Sequence, residues 1–123
     1  MPTFDEAFWD ACDALVRSSA VHVDRPAGTP HPRRPELIYP LDYGYLVGTT
    51  AGDGAGIDVW LGGGGRTVTA VACTLDLFKR DAELKLLLGC DGTEIATVDR
   101  FLNVTAGLPC IIVRRQRAAN GDA

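Results

Sequence analysis

A chain of 123 residues is one domain by size and long enough to bury a modest core. With 46% hydrophobic and 23% charged residues it reads as globular, and a net charge of −4 excludes the basic footprint of a nucleic-acid-binding surface. No apolar run is long enough to span a membrane, and Asp5, Glu6 and Asp10 interrupt the N-terminal apolar residues, against a secretory leader. The expectation is a cytoplasmic protein with no membrane or nucleic-acid partner.

In chain order, residues 4–18 carry an amphipathic helical pattern. Phe4, Phe8, Cys12, Leu15 and Val16 fall on one stripe, with Thr3 as N-cap and Glu6 three residues on. Residues 20–24 read as a short strand that stops at Arg25-Pro26, with His22 pointing outward between Val21 and Val23. Prolines 26, 30, 32 and 35 make the next stretch an ordered irregular connection. A Tyr-Gly turn is expected at Tyr43-Gly44. Residues 57–61 and 66–75 then read as a hairpin around a flexible loop, Gly62-Gly-Gly-Gly65, and residues 83–89 as a further strand. Asp91-Gly-Thr-Glu94 is a capping signal that opens a helix along Ile95, Val98, Phe101 and Leu102, ending near Gly107. Residues 110–113 close with a strand, and residues 114–123, including Arg114, Arg115 and Arg117, read as a frayed, solvated tail. Cys12, Cys73, Cys90 and Cys110 have neither Cys-x-x-Cys spacing nor a nearby histidine, so they are expected to be reduced, buried small hydrophobes. This order suits an α+β fold, an antiparallel β-barrel flanked by two helices.

Two groups of residues can carry chemistry. Asp53 and Asp58 are five residues apart in a loop with Gly52, Gly54 and Gly56, which can turn tightly enough to aim both carboxylates at one point, as a hard divalent cation requires. Solvated acids in an ordinary hairpin are the competing reading. Farther on stand Asp76, Asp81, Glu83 and Lys85. In a strand Glu83 and Lys85 share a face opposite Leu84 and Leu86, as a site or as a screened surface ion pair. Arg33 and Arg34 lie near the acidic loop in sequence and suit an anion.

The string Tyr39-Pro-Leu-Asp-Tyr43-Gly-Tyr45, followed by Asp53-Gly-Ala-Gly-Ile-Asp58-Val59, resembles the signature of the family I inorganic pyrophosphatases. That signature runs Tyr-Pro-x-(Asn/Asp)-Tyr-Gly-(Tyr/Phe), then Asp-Gly-Asp-Pro-x-Asp-(Val/Ala). The alignment is gapless from Tyr39 to Val59, with Ala55 in place of the middle Asp and Gly56 in place of Pro. The resemblance implies a small closed, OB-like barrel with the site at its mouth, and Mg²⁺-dependent hydrolysis of pyrophosphate or a related phosphoanhydride in a homo-oligomer. Asp53, Asp58, Tyr43 and Lys85 would be catalytic. Asp53, Asp58, Glu83, Asp76 and Asp24 would hold metal, and Tyr43, Lys85, Arg33 and Arg34 would hold phosphate. Two registers compete after the signature: Glu83-Leu-Lys85 in the family's Asp-x-Lys place, which is preferred, or Asp76-x4-Asp81 on its acids. Val21-His-Val-Asp24-Arg-Pro26 resembles the family's Val-x-Ile-Glu-Ile-Pro. The family's Lys-Tyr-Glu motif and late Tyr-Lys pair have no counterpart. Since Ala55 and these losses remove groups that act mainly in the transition state, a protein that only binds an anion, nucleotide or protein partner is the alternative.

Overall fold

The computed structural model describes residues 4–116. Helix α1 (Phe4–Arg17) leads into strands β1 (Val21–Arg25), β2 (Asp42–Leu46), β3 (Asp58–Leu61), β4 (Val68–Asp76) and β5 (Asp81–Leu88). Helix α2 (Gly92–Arg100) continues into a π-type turn (Phe101–Thr105) before β6 (Cys110–Arg114). The α+β class and the two flanking helices are as expected. The closed barrel is not: the strands form one open mixed sheet in the order β1-β2-β3-β5-β4-β6, and no ladder joins β1 to β6 among the described residues. A helix covers each face, so both sets of apolar side chains find cover without the sheet closing on itself.

Strand alternation sets the two cores. Trp60, Leu87, Ala70 and Ala72 face Ile95 and Val98 of α2 and Phe101 and Leu102 of the π turn. Val59, Leu86, Leu88 and Val71 face Trp9, Cys12 and Val16 of α1. The expected stripe on α1 is rotated by one residue at its start: Trp9 is buried and Phe8 is 42% exposed. Thr3 lies outside the described residues. Of the four free cysteines, Cys12 and Cys90 are buried as expected, Cys110 is half-buried and Cys73 is exposed.

Two local expectations give way. Tyr43-Gly44 is the middle of β2 rather than a turn. A Cβ on Gly44 would sit 1.9 Å from the His22 carbonyl oxygen, so the glycine is what lets β1 and β2 approach. The expected hairpin between residues 57–61 and 66–75 does not form either. Strand β5 lies between β3 and β4, parallel to β3 (Val59↔Leu86, Leu61↔Leu88) and antiparallel to β4. The glycine run is a close backbone crossing. Gly62 N–H donates to Leu88 O and Gly64 N–H to Gly89 O, each at 2.8 Å, and a Cβ on Gly62 would meet Gly89 O at 2.6 Å. Asp91 and Glu94 form the expected capping box, and the second Glu94 oxygen accepts from Gly63 N–H at 3.0 Å. The end of the chain is tied down later than its charge suggested. Arg114 completes β6, Arg115 N–H donates to Thr69 O at 2.9 Å, and the Arg115 guanidinium donates to Asp13 at 2.8 Å. The remainder of the expected tail, residues 117–123, lies outside the described residues.

Candidate functional site

The site forms where the parallel β3–β5 pairing meets β2. Pairing of Val59 with Leu86 sets Asp58 beside Lys85, and pairing of Tyr43 with Trp60 puts Tyr43 on the same face. Glu83 shares that face because it precedes Lys85 by two residues. Lys85 Nζ donates to Tyr43 Oη at 2.9 Å, Asp58 Oδ2 at 3.0 Å and Glu83 Oε2 at 3.2 Å. An ammonium has three donors, and all three are taken. Lys85 is only 4% exposed. Burial alone would favour its neutral form, but Tyr43, Asp58 and Glu83 outweigh burial and hold its pKa above the usual lysine range. Burial is the main reason the Tyr43 phenol is also pushed up, with the Asp58 charge adding to the rise against the pull of Lys85.

Asp53 joins this group from the loop. Its carboxyl accepts from its own loop at Ala55 N–H, 3.0 Å, and lies near enough to Glu83 for the two acids to influence each other's titration. The two acids shift in opposite directions. Glu83 is raised, by burial first, with Asp53 adding to the rise against the pull of Lys85. Asp53 is lowered, by the Glu83 carboxyl first.

The other expected site residues stand apart. Asp76 faces Asp81 at the end of the β4–β5 pair and accepts from Lys79 N–H at 3.0 Å, which makes it a turn cap. Asp24 is exposed on β1, 3.5 Å from His22 Nε2. Arg34 is bonded to Glu36 at 3.3 Å and to Ala106 O at 3.2 Å, and the backbone N–H groups of Arg33 and Arg34 both donate to His31 Nδ1. Among the described residues no bond links any of these four to Lys85 or its partners. Of the two competing registers, the geometry brings Glu83 and Lys85 to Asp58, not Asp76 and Asp81.

Three residues given no role from the sequence, Arg25, Tyr39 and Trp60, pack around Tyr43. A bulge between Val23 and Arg25 sets Arg25 opposite Tyr43 across the β1–β2 pair. The Arg25 guanidinium donates to the hydroxyl of Tyr39 and lies 5.3 Å above its ring. Tyr39 is buried, with its ring 5.5 Å from that of Tyr43, and Trp60 lies under both at 5.7 and 4.6 Å. The Trp60 indole N–H is the one buried side-chain donor without a hydrogen-bond partner among the described residues. The Arg-Pro step at the strand end was the only sequence signal for Arg25. The bulge that turns it inward is not written in the residue pattern.

No protein-family model matches the chain, and no curated protein matches it. Among the described residues no helix is long and apolar enough to cross a membrane.

The acids suit Mg²⁺ in kind, being hard oxygen donors, and a site of one or two carboxylates completed by water and substrate phosphate is usual for that ion. The neighbouring acids Asp53 and Glu83 fit that pattern. A larger cage does not exist in this arrangement, since no group of three or more Asp, Glu, His or Cys side chains converges as a metal site among the described residues. Lys85 stands between Asp58 and Glu83 instead.

Proposed function

We propose that this protein is a Mg²⁺-dependent hydrolase of pyrophosphate or a related small phosphoanhydride. The observation that carries this reading is the convergence on Lys85 of Tyr43 and Asp58, residues 42 and 27 positions away in the chain, together with Glu83. Mg²⁺, when bound, would neutralise phosphate charge and acidify a water. Asp53 and Glu83 are the residues to hold it, while Asp58 is paired with Lys85. Lys85 neutralises Asp58 and Glu83 and fixes their orientation. Tyr43 accepts from Lys85 and so helps hold the ammonium between the acids. Tyr39 and Trp60 wall off water behind Tyr43.

Phosphate release from pyrophosphate, with and without Mg²⁺, tests the proposal, with Asp53→Ala as the variant because Asp53 is exposed on a loop. The expected result is metal-dependent turnover that the substitution abolishes. An absence of turnover with Mg²⁺, Mn²⁺ or Zn²⁺ would sink the hydrolase reading.

One observation favours a second reading, a protein that binds the anion without hydrolysing it. Ala55 stands where the family has an acid, and it presents only its backbone N–H, to Asp53. Under the first reading Ala55→Asp raises turnover. No gain in turnover, with anion binding kept, would favour the second. Assembly into a homo-oligomer, implied by the resemblance, and a cytoplasmic location, expected from the composition, belong to the same proposal; sedimentation of the purified protein reads the first.

A further inference from the structure

The candidate anion-holding cations of the described residues differ in how many donors they have left. Lys85 has none, since Tyr43, Asp58 and Glu83 take all three. Arg34 is engaged by Glu36 and Ala106 O, and Arg33 is exposed. Only Arg25 and Arg115 are partly buried arginines among the described residues, and Arg115 is paired with Asp13 and Asp10. Arg25 has no carboxylate within ion-pair distance among the described residues, and one bond is recorded for it, to the Tyr39 hydroxyl. A guanidinium carries five N–H donors, so most of its fork is unspent.

Arg25 borders an open depression of about 440 Å³ lined also by Asp24, Pro26, Thr29, Pro30 and Pro32. The prolines offer no N–H, and the Thr29 hydroxyl already donates to Pro26 O at 2.6 Å. Arg25 is thus the donor this depression presents. The Asp24 carboxylate in its wall lies 3.5 Å from His22. Arg25 and Lys85 grip the hydroxyls of Tyr39 and Tyr43, whose rings are 5.5 Å apart. One end of this tyrosine pair meets the acids and the other meets a free guanidinium.

We propose that Arg25 is the anion-holding residue of this protein and that its depression takes the phosphoryl group farther from the acidic cluster. The ligand is then a phosphoanhydride with at least two phosphoryl groups, one at the acids and one on the Arg25 fork, which matches phosphate oxygens bidentately. This inference rests on the phosphoanhydride reading of the site. The Arg25 fork, not Arg33 or Arg34, selects a diphosphate over a single phosphate.

Calorimetric titration with inorganic phosphate and with the non-hydrolysable imidodiphosphate, each with Mg²⁺, tests this on wild type, Arg25→Gln, Arg25→Lys, Arg33→Gln and Arg34→Gln. Circular dichroism melts establish that each variant is folded. Wild type is expected to bind imidodiphosphate at least tenfold more tightly than phosphate. Arg25→Gln should lose at least tenfold in imidodiphosphate affinity and most of that preference. Arg25→Lys should fall between, and the Arg33 and Arg34 variants should stay within about threefold of wild type. Imidodiphosphate binding unchanged in folded Arg25→Gln, a larger loss in either of the other two arginine variants, or no binding by wild type would overturn the proposal. Hydrolysis is scored separately. Pyrophosphate turnover that ignores Arg25 removes this inference and leaves the hydrolase reading, whereas Arg25-dependent binding without turnover keeps the inference and removes hydrolysis.

Discussion

Lys85 is the residue on which the most depends. Its neighbours Asp58 and Glu83 are mostly shielded, with side chains 26% and 19% exposed. Removing the ammonium strands two carboxylates in a place built for their neutralisation, and breaking one side of such a pair costs about 3 kcal/mol or more. Lys85→Met should therefore lower the urea-unfolding free energy by about that amount, and adding Asp58→Asn and Glu83→Gln should restore part of it. A loss below about 1 kcal/mol in Lys85→Met would mean that the cluster is not structural. The same node sets a pH limit. The folded protein raises the pKa of both Lys85 and Tyr43. Each group thus keeps a proton that the unfolded chain releases near pH 10. The stabilisation is complete below that pH and falls away as pH rises through and beyond it. Melting temperatures between pH 8 and 11.5 should drop steeply above about pH 10, and Tyr43→Phe should make the decline shallower. An equal decline in both proteins would contradict the assignment.

At the level of elements, α2 depends on its start. Asp91 and Glu94 satisfy each other's backbone N–H groups at 2.8 and 2.9 Å, and Glu94 also holds Gly63. Asp91→Ala should cost about 1 kcal/mol, the usual worth of a cap. Glu94→Ala should cost more, because the glycine crossing loses its anchor too; thermal melts of the two variants rank them. This helix was legible in the sequence, since the Asp-x-x-Glu signal and the Ile95, Val98, Phe101, Leu102 stripe are local features. So were β1, β3, β5 and β6 to within a residue or two. What stayed hidden is non-local. Gly44 reads as a turn until the His22 carbonyl lies against it. The glycine run reads as a hairpin loop until β5 is found between β3 and β4. For the site, strand alternation correctly put Glu83 and Lys85 on one face, and the motif string supplied Tyr43, Asp53 and Asp58. The approach of Arg25 to Tyr39 stayed hidden because a bulge sets it, and the separation of Asp76 from the Lys85 group stayed hidden because a turn cap and a metal ligand look alike in sequence.

Across the whole molecule, the sheet divides into two antiparallel sets, β1-β2-β3 from the first half of the chain and β5-β4-β6 from the second. They meet at the single parallel ladder between β3 and β5. Tyr43 and Asp58 belong to one set and Glu83 and Lys85 to the other, so the candidate site is the seam itself. The chain crosses from one set to the other through Gly62 to Gly65. Made as two separate peptides, cut within those glycines, the halves have their own strand pairings but no site. Mixed together, they should recover the native circular dichroism spectrum, and Lys85→Met in the second peptide should weaken their association. Occupancy of the site and cohesion of the halves would then be one equilibrium, in which any ligand that bridges the acids and Arg25 acts as a staple across the seam.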